Sequence, residues 1–379
     1  MQISEAVEYL PQILEETARR VPDSPALMFN QGDGKLKSWS YKDFHAAALS
    51  VSAAIQSAGF KRGEHIALLG SNSPEWAVAY FGIQCAGCVA VPLDSALREQ
   101  ELRHIIRHSD AKAIFHSDKF SRELLEQDGL GGMKSYRLND VWEMTASAEG
   151  IPPRLPDSDT DPAVIIYTSG TTGSPKGVIL THRNLVTDIR GVLGVIDCDE
   201  RDAFLSVLPV HHSFEATAGF LCPVACGAGI CYARALRAKE ILEDIKASGA
   251  TIMLGVPLLF EKFHDGILRG VRKKSILARA AFGGAINMAK ALDNTVTERS
   301  GELLLKPFRS KAGFDNLRLM VSGGAAIRPE TVKFFNHFGI SCIQGYGLTE
   351  TSPVIAANPP EKNKPASVGP PVSGVEVRI

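Results

Sequence analysis

The chain has 379 residues, of which 45% are hydrophobic and 22% are charged, and its 41 basic residues nearly balance 42 acidic ones. A net charge of -1 excludes a global electrostatic attraction to nucleic acid or to an anionic membrane. The length exceeds what one hydrophobic core usually serves, so we expect two or more packed subdomains.

The N-terminal residues MQISEAVEYLPQILEETARR carry acidic side chains early, and no apolar core with a small-residue cleavage site follows, so we predict no signal peptide. Seven cysteines scattered along the chain then indicate reduced thiols and a cytoplasmic location. Cys85 and Cys88 have C-x-x-C spacing but close an apolar helical run without a second pair. We therefore expect them to be buried small residues rather than a redox or metal site.

In the first half of the chain, apolar strand-like segments alternate with segments of helical period, which predicts a largely parallel α/β sheet. Ser73 is placed to cap a helix that starts at Pro74. The predicted strands are 65–72, 89–94 and 111–118, and the predicted helices are 73–87 and 101–109.

A linker rich in Pro and Asp, 151–162, is followed by a second series of strands. These are 163–170, 202–209, 251–257, 317–324 and 340–347, and between them 272–311 is basic and predicted to be a surface helical excursion. The uncharged stretch 216–233 is interrupted by Pro and Gly, so we predict a helix and a short strand there, not a membrane span. We expect two sheet-centred α/β lobes, 1–162 and 163–350, and the start of a smaller β-rich subdomain, a distorted barrel, at 351–379.

The segment YTSGTTGSPKGVILTHRNL, 167–185, places a loop of hydroxyl residues and glycines directly after a buried strand. Glycines let backbone N–H groups approach an anion, hydroxyls add donors and a lysine adds a cation, so the loop suits a polyphosphate. Its residues are Thr168, Ser169, Gly170, Thr171, Thr172, Gly173 and Lys176. Pro175 before Lys176 and Gly177 after it do not fit the Walker-type P-loop pattern.

A second segment, QGYGLTETSP (344–353), also follows a strand. Thr349 can donate a hydrogen bond to a phosphate oxygen, and the carboxylate of Glu350 suits Mg2+. Both segments together indicate a nucleotide polyphosphate site, because such a site needs anion donors and a metal carboxylate.

These two segments resemble the signatures of the adenylate-forming superfamily of acyl-CoA synthetases, luciferases and peptide-synthetase adenylation domains. Other segments fall in the order of that family: VAVPLD, LPVHHSFE, GVPLLFEKF, VSGGAAIRPE and SVGPPVSGVEV. The resemblance implies an enzyme that uses ATP and Mg2+ to convert a carboxylic acid to an acyl adenylate, after which coenzyme A accepts the acyl group. It also implies small-molecule partners, no nucleic acid, and at most peripheral contact with a membrane.

The resemblance implies roles for individual residues. Thr168 to Gly173 and Lys176 would hold the β- and γ-phosphates, and Thr168 and Glu350 would bind Mg2+. The nucleotide would further contact the ends of two strands, at Gly323, Gly324, Ala325, Gln344, Gly345, Tyr346, Gly347 and Thr349, with the Tyr346 ring stacked on adenine. The implied catalytic residues are Lys176, His212, Thr349 and Glu350, with His212 near the carboxylate and His211 structural.

The acyl chain is predicted to contact His212, Ser213, Phe214, Val256 and Leu258. HHSFE (211–215) and GVPLLFEKF (255–263) resemble segments of long-chain fatty acid–CoA ligases, and the aliphatic surroundings favour a medium- to long-chain fatty acid. The alternatives are an aryl-acid CoA ligase, a peptide-synthetase-type adenylation domain, and an ATP- or acyl-binding module without turnover. In members of that family, the residues beyond the position of VEVRI (375–379) include a ribose-binding aspartate, a hinge and a C-terminal domain with a catalytic lysine. We therefore expect an N-terminal domain with weak or no activity of its own.

Overall fold

The computed structural model describes residues 3–32, 34–118, 120, 130, 132–144, 152–168, 175–292 and 300–379, with backbone alone at 292 and 300–303. In these ranges the α-helices are Leu10–Arg20 (α1), Tyr41–Ser57 (α2), Pro74–Cys85 (α3), Glu99–His108 (α4), His182–Leu193 (α5), Cys222–Cys226 (α6), Ala238–Ser248 (α7), Pro257–Arg272 (α8), Ile276–Leu292 (α9), Ser300–Ala312 (α10) and Pro329–His337 (α11). A π-helix, Glu215–Leu221, precedes α6.

The strands of the described ranges are Pro25–Asn30 (β1), Leu36–Ser40 (β2), His65–Leu69 (β3), Val89–Leu93 (β4), Ala113–His116 (β5), Lys134–Arg137 (β6), Pro162–Thr168 (β7), Lys176–Thr181 (β8), Ala203–Ser206 (β9), Gly229–Tyr232 (β10), Ile252–Gly255 (β11), Leu319–Ser322 (β12), Ser341–Gly347 (β13) and Val354–Ala357 (β14). Every strand predicted from the sequence has its counterpart here.

Six strands form one sheet in the order β6-β5-β3-β4-β7-β8. Its pairs are parallel except the last, where β7 and β8 form an antiparallel hairpin. Eight strands form the other sheet, in the order β14-β13-β12-β11-β9-β10-β1-β2. Its interior pairs are parallel, and an antiparallel strand closes each edge. The predicted α/β fold with two sheets is confirmed.

Helix α3 begins where the sequence predicts it, and α4 begins at Glu99, two residues before the predicted start at residue 101. Ser73 caps α3 through a hydrogen bond from the Trp76 N–H to its Oγ at 3.2 Å, and Pro74 occupies the first turn. Because α3 is buried nearly all round, its apolar residues join the core between α2 and the six-stranded sheet. The stretch 216–233 folds as the π-helix, α6 and β10, and the predicted helical excursion contains α9 and most of α10.

The sheets do not divide at the predicted boundary between residues 162 and 163. Strands β7 and β8 lie after that boundary but belong to the six-stranded sheet, because β7 pairs with β4 at Ala90 and Val164. Strands β1 and β2 lie before it but belong to the eight-stranded sheet, where Leu27 pairs with Ile230. In 351–379, β14 pairs with β13, and Ala356 forms a single bridge with Pro371. The three lobe ranges remain a prediction about packing units.

All seven cysteines are free and buried, including Cys85 and Cys88. Burial raises the pKa of each of these two thiols to about 12, so neither is a thiolate at neutral pH. None of the helices in the described ranges is long and apolar enough to cross a membrane.

Candidate functional site

A cavity of about 210 Å³ opens beyond the C-terminal ends of β12 and β13. We call it the central cavity. The C-terminal ends of parallel strands are the common ligand-binding edge of α/β sheets. The walls of the central cavity are mostly apolar and come from α5 and the residues after it, the π-helix and the loop before it, the ends of β12 and β13, and β14. The lining residues are Val192, Val195, Ile196, Ser213, Phe214, Ala218, Val321, Gly323, Gly324, Gly345, Tyr346, Gly347, Leu348, Thr349, Pro353, Val354 and Ala357.

Glycines make this cavity possible. Gly324 has φ +79°, which side chains with a Cβ rarely adopt. A Cβ on Gly323 would stand 2.8 Å from the Phe214 ring, so a larger residue there would push that ring. Tyr346 lines the cavity with 49% of its surface exposed, and its aromatic face is available to a flat ligand.

The structure brings two predicted segments together at this edge. The hydroxyl oxygens of Ser213 and Thr349 lie 3.1 Å apart, within hydrogen-bond distance, although 136 residues separate them in sequence. Phe214 packs against the position of Gly323. The segment HHSF therefore meets the segment GYGLTE at the cavity wall.

The predicted phosphate loop is described only at its two ends. Thr168 ends β7 and pairs with Lys176 at the start of β8, so the loop connects the two strands of one hairpin. Ser169, Gly170, Thr171, Thr172 and Gly173 lie outside the described residues. Strand β8 contacts the helical turn Thr349–Thr351, which places this hairpin beside the segment with Glu350. Lys176 and Glu350 are both exposed.

Some of the predicted nucleotide and acyl residues lie away from the cavity wall, among them Gln344, Ala325 and Leu258. Gln344 is buried, and its amide donates hydrogen bonds to the carbonyls of Pro365 and Ser367 at 3.1 and 2.8 Å, so it holds that loop. Ala325 is exposed beyond Gly324. Leu258 is 59% exposed in the first turn of α8.

Val256, 41% exposed, lies at the rim of the central cavity. Its Cγ1 stands 3.9 Å from where a Cβ on Gly324 would lie.

The two histidines differ in environment. His211 is buried with its Nε2 at 3.6 Å from Asp94 Oδ2, beyond hydrogen-bond range, and its ring centroid lies 4.3 Å from that of His212. Burial, reinforced by the neighbouring His212 and opposed by Asp94, lowers the pKa of His211 to about 4. His211 is therefore neutral at neutral pH. His212 is exposed and does not line the cavity.

Sequence reasoning did not single out Glu215, which is 1% exposed at the start of the π-helix. Its Oε1 accepts a hydrogen bond from Ser206 Oγ at 2.6 Å, and burial raises its pKa to about 8 against the effect of that bond. Asn72 donates to Ser206 Oγ and to the Leu208 carbonyl at 2.9 and 2.6 Å. A carboxylate directly before the uncharged run 216–233 was the available signal for such a buried group.

Asp188 of α5 is a second buried carboxylate that the sequence did not reveal. It accepts a hydrogen bond from the Val354 N–H at 3.2 Å, and burial raises its pKa to about 8. Because Val354 lines the central cavity, this bond fixes α5 against the wall formed by β14.

The described residues contain no group of three or more His, Cys, Asp or Glu placed to hold a metal ion. The roles of Thr168 and Glu350 as metal ligands remain a prediction. A metal bound mainly through substrate phosphates needs only one or two carboxylates from the protein, and an exposed glutamate beside the cavity fits that kind of binding.

A protein-family model described as "AMP-binding enzyme" matches residues 14–379. Among curated relatives, the peroxisomal long chain acyl-CoA synthetase 6 of Arabidopsis thaliana is 29% identical over 91% of this chain and 52% of its own length. Fatty acyl-CoA synthetase A of Dictyostelium discoideum is 27% identical over 91% of this chain and 55% of its length. A chloroplastic long-chain-fatty-acid–[acyl-carrier-protein] ligase of A. thaliana is 29% identical over 98% of this chain and 59% of its length. The chain spans about half the length of the curated relatives it matches.

Solved structures share the fold. The inhibitor-bound N-terminal domain of FACL13 from Mycobacterium tuberculosis superposes with TM-score 0.76 at 22% identity, covering 97% of this chain and 83% of that chain. The complex of VinN with L-aspartate has TM-score 0.75 at 22% identity, covering 99% of this chain and 84% of that chain.

Proposed function

This chain belongs to the AMP-binding enzyme family, and on that premise we propose that it forms the ATP- and acyl-binding part of an acid–thiol ligase. The reaction would join a carboxylic acid to AMP and then transfer the acyl group to a thiol. The observation that carries the proposal is the central cavity, where the Ser213–Thr349 contact joins the segment implied for the acid to the segment implied for the nucleotide.

The proposed nucleotide site follows the shape of the cavity. Gly323, Gly324, Gly345 and Gly347 leave room at the strand ends, and the half-exposed Tyr346 ring would stack on adenine. The triphosphate would extend toward the β7–β8 hairpin. There Thr168, Lys176 and the loop between them would donate to the β- and γ-phosphates.

In the first step a carboxylate oxygen would attack the α-phosphorus, the bond to the bridging oxygen would break, and pyrophosphate would leave. Lys176 and Thr349 would stabilise negative charge that shifts onto the pyrophosphate, which lowers the barrier. Mg2+, held by Glu350 with Thr168 and the phosphates, would neutralise further charge when bound. In the second step a thiol would attack the acyl carbonyl and AMP would leave.

We propose a medium- to long-chain fatty acid as the acid. The apolar walls of the central cavity support this, with Phe214 inside and Val256 at the rim. The names of relatives also support it, because several are long-chain acyl-CoA synthetases. His212 would lie near the carboxylate, with the buried His211 as its structural neighbour.

The thiol acceptor has two candidates. We propose coenzyme A, as the names of most compared relatives suggest, and an acyl carrier protein as the second candidate, because one relative carries that acceptor in its name. We also propose a reducing compartment such as the cytoplasm, supported by seven free, buried cysteines.

The test is pyrophosphate release by the protein that contains this chain, with ATP, Mg2+ and a panel of octanoate, palmitate, benzoate and aspartate. Each buried methylene contributes up to about 0.8 kcal/mol, or roughly fourfold, so kcat/KM should rise with chain length until the site is full. Lys176→Gln should lower the rate, and the matched exposed control Lys112→Gln should not. Faster turnover of benzoate or aspartate than of both aliphatic acids would refute the fatty-acid proposal.

A further inference from the structure

Helix α9 exposes large aliphatic side chains to solvent. Ile276 and Leu277 at its start are 77% and 83% exposed, and Met288 is 54% exposed. Leu277, Ala281, Gly284 and Met288 follow one another at helical spacings of four, three and four residues, so they share one stripe, and all four are exposed. The stripe is apolar throughout.

The opposite side of α9 is also apolar, but it is used in packing. Phe282 and Ala289 on that side are buried in the core beneath the helix, where Phe282 contacts Phe308 and Phe338. An ordinary surface helix has a polar outer face, so an apolar outer face indicates contact with something other than water.

A local positive charge surrounds this stripe. Residues 266–292 contain no Asp or Glu, in contrast to the near-neutral chain as a whole. They contain six basic residues, all exposed: Arg269, Arg272, Lys273, Lys274, Arg279 and Lys290. We call these six residues together with Ile276, Leu277 and Met288 the tip surface.

From this combination we propose that the tip surface docks the protein on an anionic lipid bilayer. The aliphatic side chains would enter the interface, and the basic side chains would reach the phosphates of the headgroups. A second copy of this chain is a poorer occupant, because a symmetric contact would bring two sets of six positive charges together.

The choice of a bilayer rests also on the proposed function, since fatty acids partition into membranes. Helix α8 links the rim of the central cavity to the tip surface. It begins at Pro257, next to Val256 at the rim of the central cavity, and its 16 residues end at Arg272 in the tip surface. At a rise of about 1.5 Å per residue, the tip surface lies about 24 Å along α8 from the cavity rim.

The test is flotation of this chain with phosphatidylcholine vesicles, with and without phosphatidylglycerol, in the absence of ATP and acid. We expect binding only to the anionic vesicles and weaker binding at high salt. The triple variant Arg272→Gln, Lys273→Gln, Lys274→Gln should lower the partition coefficient roughly 100-fold, at about fivefold per basic residue. The double variant Ile276→Ser, Leu277→Ser should lower it at least about 10-fold.

Two control variants remove exposed basic and aliphatic side chains that lie outside the tip surface. Lys61→Gln, Lys239→Gln, Lys362→Gln changes the net charge equally, and Leu236→Ser removes another exposed leucine, 66% exposed. Both controls should bind like the parent. All substituted side chains are exposed, and circular dichroism would verify that each variant is folded.

The proposal is overturned if the parent does not bind anionic vesicles, or if the controls lose binding as strongly as the tip variants. It is also overturned if the tip variants abolish self-association in sedimentation but leave vesicle binding unchanged. Because vesicle binding is measured without turnover, it is independent of the outcome of the pyrophosphate assay.

Discussion

Replacing Glu215 by glutamine tests how the loop beside the central cavity is stabilised. The carboxyl group is 1% exposed, Ser206 donates to its Oε1, and its Oε2 has no hydrogen-bond partner among the described residues. Burial raises its pKa from 4.5 to about 8, so the folded protein keeps this proton at neutral pH. Glutamine has the same shape and is neutral at every pH.

The sign of the pH effect follows from where the proton is bound. Between pH 4.5 and about 8 the unfolded chain has released the proton and the folded chain retains it. The free energy of unfolding of the parent therefore falls as pH rises through this window. At about 1.4 kcal/mol per pH unit, the fall is roughly 5 kcal/mol at most.

The variant lacks this titration, so its stability relative to the parent should increase with pH and level off above about pH 8. Asp188, whose pKa is also raised to about 8, titrates in both proteins and cancels in the difference. Glutamine also places an amide N–H2 group in this buried site, where Oε2 has no hydrogen-bond partner among the described residues, and this adds a cost that does not vary with pH. The change with pH in the difference in unfolding free energy between variant and parent tests the raised pKa of Glu215. The absolute size of that difference does not.

The assay is equilibrium unfolding in urea, followed by circular dichroism, at several values between about pH 4.5 and about pH 8. Glu361→Gln at an exposed position serves as the matched control and should show no pH-dependent difference from the parent. A constant difference between Glu215→Gln and the parent would mean that Glu215 is ionised in the folded state, which would refute the reasoning from burial.

Three further predictions concern the site itself. Glu350→Gln should lower acid-dependent pyrophosphate release by at least about 100-fold, because the charge proposed to bind Mg2+ is lost, whereas Glu361→Gln should not; an unchanged rate would rule out the assignment. Gly323→Ala should lower the free energy of unfolding by roughly 1–3 kcal/mol in urea titrations, since its Cβ would stand 2.8 Å from the Phe214 ring, and an unaffected midpoint would contradict the packing described. Tyr346→Ala should weaken ATP binding by roughly 3- to 10-fold in calorimetric titration while Tyr346→Phe retains it, and equal affinity for all three proteins would exclude stacking on the ring.

Local sequence patterns predicted most of the strands because each follows from a short apolar run bounded by Gly, Pro or polar residues. Strand pairing joins segments that are distant in sequence, and local patterns did not predict which strands pair. Nothing in residues 25–30 indicates that β1 pairs with β10, about 200 residues later, at Leu27 and Ile230. For the same reason the linker before β7 predicted a lobe boundary that the sheets do not follow, since β7 returns to pair with β4.

The site was predictable where its chemistry is concentrated in a short segment. The GYGLTE segment supplies Gly345, Tyr346, Gly347 and Thr349 to one wall of the central cavity, and their predicted contact with a nucleotide remains a prediction. Gln344, directly before this segment, lies away from the cavity wall, because its amide donates hydrogen bonds to the carbonyls of Pro365 and Ser367.

The loop that carries His211, His212 and Ser213 follows β9 of the eight-stranded sheet, yet it contacts residues that lie just after strands of the six-stranded sheet. Asn72, three residues after β3, accepts a hydrogen bond from the Val210 N–H at 2.9 Å and donates to the Leu208 carbonyl at 2.6 Å. Asp94, directly after β4, faces the buried His211 at 3.6 Å. The C-terminal edges of both sheets therefore meet at this loop, and its position depends on contacts that no single segment of the sequence contains. Because Ser213 in turn contacts Thr349, a shift of one sheet against the other would be transmitted to the wall of the central cavity through this loop.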